Sequence, residues 1–204
     1  MNHYKNLTSE QIEFYSDDPE YLDYLNQKVS KMKEAKGNLW DMPCDAVCIS
    51  TNGFVKNNGE CVMGRGCAKE AAEYFPEIPK LLGTKLKKYG NVVQTIRHFE
   101  GVAILAYPVK PVSFEFFNEL DCEGIVSHMR YKFNPGDEVP GWACVAEMEI
   151  IERSAKELVA LADRHGWKNI LLPRVGCGAG ELSWSKVKPV LDEILDDRFT
   201  AVTF

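Results

Sequence analysis

The 204-residue chain has no excess of positive charge: 24 lysines and arginines face 30 aspartates and glutamates, leaving a net charge of −6. With a pI near 5.3, this disfavours a general binder of nucleic acid or anionic membrane. No apolar run approaches the roughly 18–20 residues that a membrane helix needs. No two of the seven cysteines (Cys44, Cys48, Cys61, Cys67, Cys122, Cys144 and Cys177) are spaced as C-x-x-C. An odd number without that spacing is neither a disulfide framework nor a zinc site. The G-x-x-x-x-G-K-[ST] phosphate loop is missing, which argues against an NTPase. Repeats and low-complexity tracts are absent too. The first residues, MNHYKNLTSEQIEFYSDD, lack the charged-then-apolar layout of a signal peptide. Free thiols in a reducing, cytoplasmic setting are therefore expected, with no motif that requires a metal or cofactor.

What remains is a globular composition, 45% hydrophobic and 26% charged. A chain this long buries about 70% of its unfolded surface and folds without staples. Residues 1–27 read as a polar helical extension starting at Ser16-Asp17-Asp18-Pro19, with Tyr21, Leu22, Tyr24 and Leu25 on one stripe. The main domain is expected over 28–204. Strands are predicted at Lys28–Lys36, Ala46–Ser50, Val92–Ile96, Val102–Tyr107, Asn169–Leu172 and Phe199–Phe204. The third and fourth of these would form a hairpin across Arg97–Gly101. Helices are predicted at 67–75, 79–89, 148–165 (capped by Gly166) and about 185–196. Alternating strands and helices point to a three-layer α/β/α sandwich around a mixed, mostly parallel sheet. Residues 112–146 form a long irregular insertion rich in Pro, Gly and aromatics. Its Phe114, Phe116, Phe117, Phe133 and Trp142 either cover a ligand or build a satellite core under the loop.

Three strand-following loops are rich in Gly and Asn: Ser50-Thr51-Asn52-Gly53, Val62-Met63-Gly64-Arg65-Gly66-Cys67-Ala68, and the run from Pro173 through Val175, Gly176, Cys177, Gly178, Ala179, Gly180 and Glu181 to Leu182. Glycines admit a phosphate close to the backbone, and a following helix offers free N–H groups. Two such loops in one domain suggest a diphosphate held from both sides, although either alone reads first as a tight turn. Gly176–Glu181 echoes G-x-G-x-x-G, but Glu181 fills the third glycine position.

In this order the loops resemble those of the macrodomain family, an ADP-ribose-binding module. Ala35-Lys36-Gly37-Asn38-Leu39 resembles its first-strand motif, and Asp45–Asn52 its second strand and ribose-facing Asn. Met63–Ala68 resembles its first phosphate loop, and Pro173–Gly178 with Leu182 and Trp184 its second. The Met-Gly-x-Gly form is most similar to the branch of terminal ADP-ribose protein glycohydrolase, DNA ADP-ribosyl glycohydrolase and ADP-ribose-1″-monophosphatase. The resemblance implies that Asn38 and the Leu39 amide meet adenine, that Asn52 and Gly53 face the distal ribose, and that both glycine loops hold the diphosphate. It also implies a catalytic lysine and a second-loop aspartate, but the positions matched to them hold Ala72 and Gly180.

Asn52, Arg65, Lys69 and Glu181 are the remaining catalytic candidates. Lys69 and Arg65 read otherwise as solvated cations, Glu181 as a helix-start carboxylate, and Cys67 and Cys177 as loop fillers. Two functions stay open. One is hydrolysis of a group from the distal ribose of an ADP-ribose derivative, free or attached to protein or nucleic acid. The other is a non-catalytic reader or sink for such a nucleotide.

Overall fold

The computed structural model describes residues 8–22 and 31–203. The element order is α1 (Ser9–Phe14), β1 (Lys33–Lys36), β2 (Ala46–Thr51), α2 (Gly66–Tyr74), α3 (Ile78–Tyr89), β3 (Gln94–Phe99), β4 (Val102–Pro108), β5 (Ser113–Glu115), β6 (Glu138–Pro140), α4 (Met148–His165), β7 (Ile170–Pro173), α5 (Trp184–Asp192) and β8 (Phe199–Thr203). Six strands make one sheet in the order β1-β8-β7-β2-β4-β3. All neighbours are parallel except β3, which runs antiparallel to β4.

The sheet is buried on both faces, as the unbroken apolar runs of its central strands require. Alternate residues serve opposite layers. Cys48, Leu105, Ile170 and Leu172 pack with Ile151, Ala155 and Leu158 of α4 and Val187 and Leu191 of α5. Val47, Ile49, Ile104, Ala106 and Leu171 pack with Ala68 and Ala71 of α2 and Ile78, Leu82 and Leu86 of α3. The result is the three-layer arrangement expected from the sequence. Asp45 ties the sheet's entry edge, because its carboxylate accepts from the Lys168 and Asn169 amides at 2.7 and 2.9 Å. Helix α4 ends as its sequence dictates: Gly166 takes a left-handed φ of 69° and donates to the Ala162 and Asp163 carbonyls.

Several boundaries differ from expectation. Helix α1 precedes the predicted start and is fixed by a Thr8–Gln11 capping box. A second helical stretch does begin at Pro19, with the Asp18 carboxylate accepting from the Glu20 amide. Its described part covers 19–22, and the expected stripe residues Tyr24 and Leu25 lie outside the described residues, as do 28–30. Strand β1 begins only at Lys33. Strand β3 runs on to Phe99, so the hairpin turn is Glu100-Gly101 alone, both with positive φ. Such a pair is the two-residue turn whose twist suits a hairpin. Helix α5 ends at Asp192 rather than near 196.

Residues 112–146 carry structure of their own. Strands β5 and β6 pair antiparallel, and short 3-10 turns cover Glu119–Gly124, Ser127–Lys132 and Gly141–Ala143. Phe116, Ile125, Val139, Ala143 and Cys144 form a third core, with Phe114, Met129, Phe133 and Trp142 packed on it. Of the two roles open to the aromatics, most take the satellite core. Phe117 instead stays 70% exposed.

Candidate functional site

The carboxyl ends of β1, β2, β4, β7 and β8 surround a cavity of about 460 Å³. This is where open α/β sheets bind ligands. One side is the first glycine loop, Val62 to Ala68, which runs into the N-terminus of α2. The opposite side is the second loop, with Pro173, Arg174, Gly176, Gly178, Ala179 and Gly180.

The glycines divide by what surrounds them. A Cβ added at Gly64, Gly66 or Gly178 would meet nothing within 4 Å. These three leave the backbone open toward the cavity. At Gly176, whose φ is +74°, a Cβ would lie 2.6 Å from the Ile151 side chain. At Gly180 it would lie 2.5 Å from the Gly176 carbonyl oxygen and 2.6 Å from the Ala146 methyl. Gly53 is blocked in the same way by Val112 and Asn91. Packing therefore demands Gly53, Gly176 and Gly180, whereas open space surrounds Gly64, Gly66 and Gly178.

Lys110 supplies the charge. It follows β4, is only 6% exposed, and lines the cavity. Its Nζ donates to the Ala179 carbonyl at 2.8 Å and approaches the Trp142 carbonyl at 3.5 Å. Burial pushes its pKa down to about 8; Arg65 acts in the same direction, while Cys144 and Glu181 oppose it. Arg65 lines the cavity at the N-cap of α2 and makes no ion pair among the described residues. Arg174, in contrast, is held by Glu34 at 3.2 Å and stacks on Trp184. The Thr51 hydroxyl is buried in the cavity wall without a hydrogen-bond partner among the described residues.

Of the residues singled out in the sequence, Leu39, Asn52, Met63, Gly64, Arg65, Gly66, Cys67, Ala68, Gly176, Gly178, Ala179 and Gly180 come together on this wall. The others have different tasks. Asn38 closes its own turn, donating to Asp41 at 2.7 Å and accepting from the Trp40 amide at 3.2 Å. Lys69 points along α2 to Glu73 at 3.4 Å and is well exposed. Val175 is buried in the core, and Cys177 packs against that core. The Glu181 carboxylate accepts from the Ser127 amide at 2.9 and 3.1 Å and from its hydroxyl at 2.6 Å. Desolvation pulls the Glu181 pKa up, but the Ser127 bonds, with Arg130 and His128, more than offset this and hold it below the usual carboxylate range. A carboxylate so occupied is a poor general base.

Asn52 lines the cavity but also fixes its loop: its Nδ2 donates to the Val62 carbonyl at 2.9 Å and its Oδ1 accepts from the Phe54 amide at 3.0 Å. Cys67 accepts from the Ser50 amide through Sγ, and burial pushes its thiol pKa up, away from nucleophilic use. All seven cysteines are free.

The matched positions Ala72 and Gly180 hold no ionisable group, yet the cavity has a lysine. Sequence reading passed over Lys110 because it lies in neither glycine loop. The available signal was VAILAYPVKP, in which a lysine stands two residues past the end of a strand buried on both faces. Of the insertion's aromatics, expected either to cover a ligand or to build a satellite core, Trp142 lines the cavity; Val126, His128 and Met129, not singled out in the sequence, complete that wall.

No protein-family model matches the sequence, and no curated protein matches it. Solved structures do. The macrodomain of Mycobacterium tuberculosis DarG aligns with a TM-score of 0.59 at 14% identity, over 86% of this chain and 99% of that one. The macrodomain of Thermus aquaticus DarG gives 0.57 at 22% identity, over 85% and 97%. This is the macrodomain fold. A third structure, Thermosipho africanus DarTG in complex with ADP-ribose, gives 0.57 at 17% identity, over 83% of this chain and 41% of that one. No helix among the described residues is long and apolar enough to cross a membrane.

Proposed function

We propose that the cavity binds ADP-ribose or a derivative and that the protein hydrolyses a group from the distal ribose. One observation carries the reading: a buried lysine, Lys110, and an unpaired arginine, Arg65, share a cavity whose two facing loops expose backbone at Gly64, Gly66 and Gly178. Two loops of free amides suit the two phosphates of a diphosphate. The cations offset its charge, and Leu39 and Val202 offer apolar contact at the β1–β8 end of the cavity.

Hydrolysis at the distal ribose requires an attacking water and stabilisation of the departing group. Lys110, still largely protonated near neutral pH, sits where it would donate to a departing or non-bridging oxygen. The surrounding amides would hold the ribose in place, so that positioning and preorganised donors supply the rate. Arg65 is assigned to phosphate and Asn52 to shaping the loop beside the distal ribose. Lys69 and Glu181 drop out as catalytic groups because each is engaged outside the cavity.

A second reading, a non-catalytic reader or sink, is favoured by one feature: among the described residues no carboxylate free to act as base reaches the second loop, since Glu181 is bonded to Ser127 and position 180 is glycine. The test is calorimetry with ADP-ribose, then incubation with ADP-ribose-1″-phosphate, O-acetyl-ADP-ribose, and ADP-ribosylated protein and DNA. Turnover of any one establishes the hydrolase and identifies the leaving group. Saturable binding without turnover of any establishes the reader.

A further inference from the structure

We propose that Glu181 is a latch. Its carboxylate holds the 112–146 insertion against the second glycine loop, so that the insertion walls the cavity and retains a bound nucleotide. The retention half rests on the reading of the cavity as an ADP-ribose site.

The insertion is built as a separable flap. Its core, around Phe116, Ile125, Val139 and Cys144, is distinct from the two cores that sandwich the sheet. Segments with their own small core open at lower cost than the domain unfolds. Its neck is closed by the Gly141 amide, which donates to the Val112 carbonyl at 2.7 Å, and its C-terminal end is anchored by the Ala146 amide, which donates to the Gly180 carbonyl at 2.9 Å. The segment over 119–133 is tied to the 143–145 arm, where the Val126 amide donates to the Ala143 carbonyl at 2.9 Å and the Val145 amide to the Gly124 carbonyl at 2.8 Å. Among the hydrogen bonds of the described residues, its one link to the sheet-bearing domain is Ser127 to Glu181. That same segment presents Val126, His128 and Met129 to the cavity.

The backbone at Glu181 supports the assignment. Its φ of 62° lies in the left-handed region, which glycine adopts without strain and other residues do not. Three glycines stand within five residues, so a side chain at 181 is not demanded by the turn. Among the described residues the side chain's hydrogen bonds are those to Ser127. A strained residue with one set of partners points to those partners as its purpose. Glu181 is thus a positioning residue that acts on the ligand through the insertion.

Glu181→Gly in the full chain separates backbone from carboxylate, because it relaxes the turn and deletes the latch. Amide hydrogen exchange over 119–133 should then speed up by roughly tenfold, with the sheet amides unchanged. ADP-ribose should dissociate about tenfold faster, with its association rate kept within about twofold. Ser127→Ala, which keeps the amide bonds and loses the hydroxyl bond, should give a smaller change of the same kind. Combining the two should be no worse than Glu181→Gly alone. Unchanged exchange in 119–133 overturns the latch, as does an additive double variant. Faster exchange with unchanged nucleotide release overturns the retention half. Should the unaltered protein bind no ADP-ribose, the site reading fails, and exchange over 119–133 alone decides the latch. If Glu181→Gly does not fold, Ser127→Ala carries the same comparison.

Discussion

Replacing Gly178 by glutamate should remove nucleotide binding and leave the fold standing. The backbone there needs no positive φ, and a Cβ meets nothing within 4 Å. A side chain therefore enters space that, on this account, belongs to the diphosphate. Its carboxylate would lie in the same cavity as Lys110 and Arg65 and compete for the charge that phosphate needs. A hydrogen bond to a charged group contributes about 1.5–3 kcal/mol. Losing two such bonds costs about 3–6 kcal/mol, roughly a 10²- to 10⁴-fold loss of affinity. The control is Gly180→Ala. There the added methyl falls 2.5 Å from the Gly176 carbonyl oxygen and 2.6 Å from the Ala146 methyl, an overpacking of about 1–3 kcal/mol. Calorimetry with ADP-ribose and thermal melts of both variants give the readout. Gly178→Glu should melt close to the unaltered protein and bind too weakly to measure, whereas Gly180→Ala should melt several degrees lower. A folded Gly178→Glu protein that binds as before would refute the division between open and packed glycines, and with it the placement of the diphosphate.

Three more expectations are equally specific. With Lys110 titrating at about 8 rather than 10.5, its cation favours the diphosphate, so ADP-ribose affinity should fall as pH rises through about 8. Stability should move the other way: the unfolded chain holds the extra proton between about pH 8 and 10.5, so Lys110 makes folding more favourable as pH rises across that window. Lys110→Met should abolish both trends, and affinity titrations and melts from pH 6.5 to about 10 would reveal either one persisting. Asn52→Ala removes the partners of the Val62 carbonyl and the Phe54 amide. It should cost about 1–3 kcal/mol of stability and weaken the nucleotide step by loosening the loop; a denaturant titration and a turnover assay check the two parts. Tyr107→Phe deletes a buried bond to the Ile151 carbonyl at 2.8 Å. It should lower stability by about 1–2 kcal/mol without changing ADP-ribose affinity, and a changed affinity would show that the α4 face communicates with the cavity.

The sheet and its layers were legible because the residues that build them obey period rules. The strands Ala46–Thr51 and Val102–Pro108 are continuous apolar runs, and Met148–His165 is periodic with a glycine stop, so each was found within a residue or two. The glycine loops were legible as a pair, and the structure faces them across one cavity. Which glycines were free was not legible. Gly178 and Gly180 look alike in sequence and differ only through Ala146 and the Gly176 carbonyl, which tertiary packing delivers. Lys110 was missed because its position acquires meaning only from the Ala179 and Trp142 carbonyls, 69 and 32 residues downstream. Glu181 looked like a base because a carboxylate beside a phosphate loop is a plausible one. Its partner Ser127 is 54 residues away in the least regular part of the chain, where no periodicity links the two.

The most direct test is a crystal structure of the protein with ADP-ribose. The account predicts the diphosphate between Gly64–Gly66 and Gly178, with Lys110 Nζ within hydrogen-bond reach of the distal half and the Val126–Met129 wall over it. A nucleotide bound elsewhere, or a diphosphate lying against Gly176 and Gly180 instead, would contradict it.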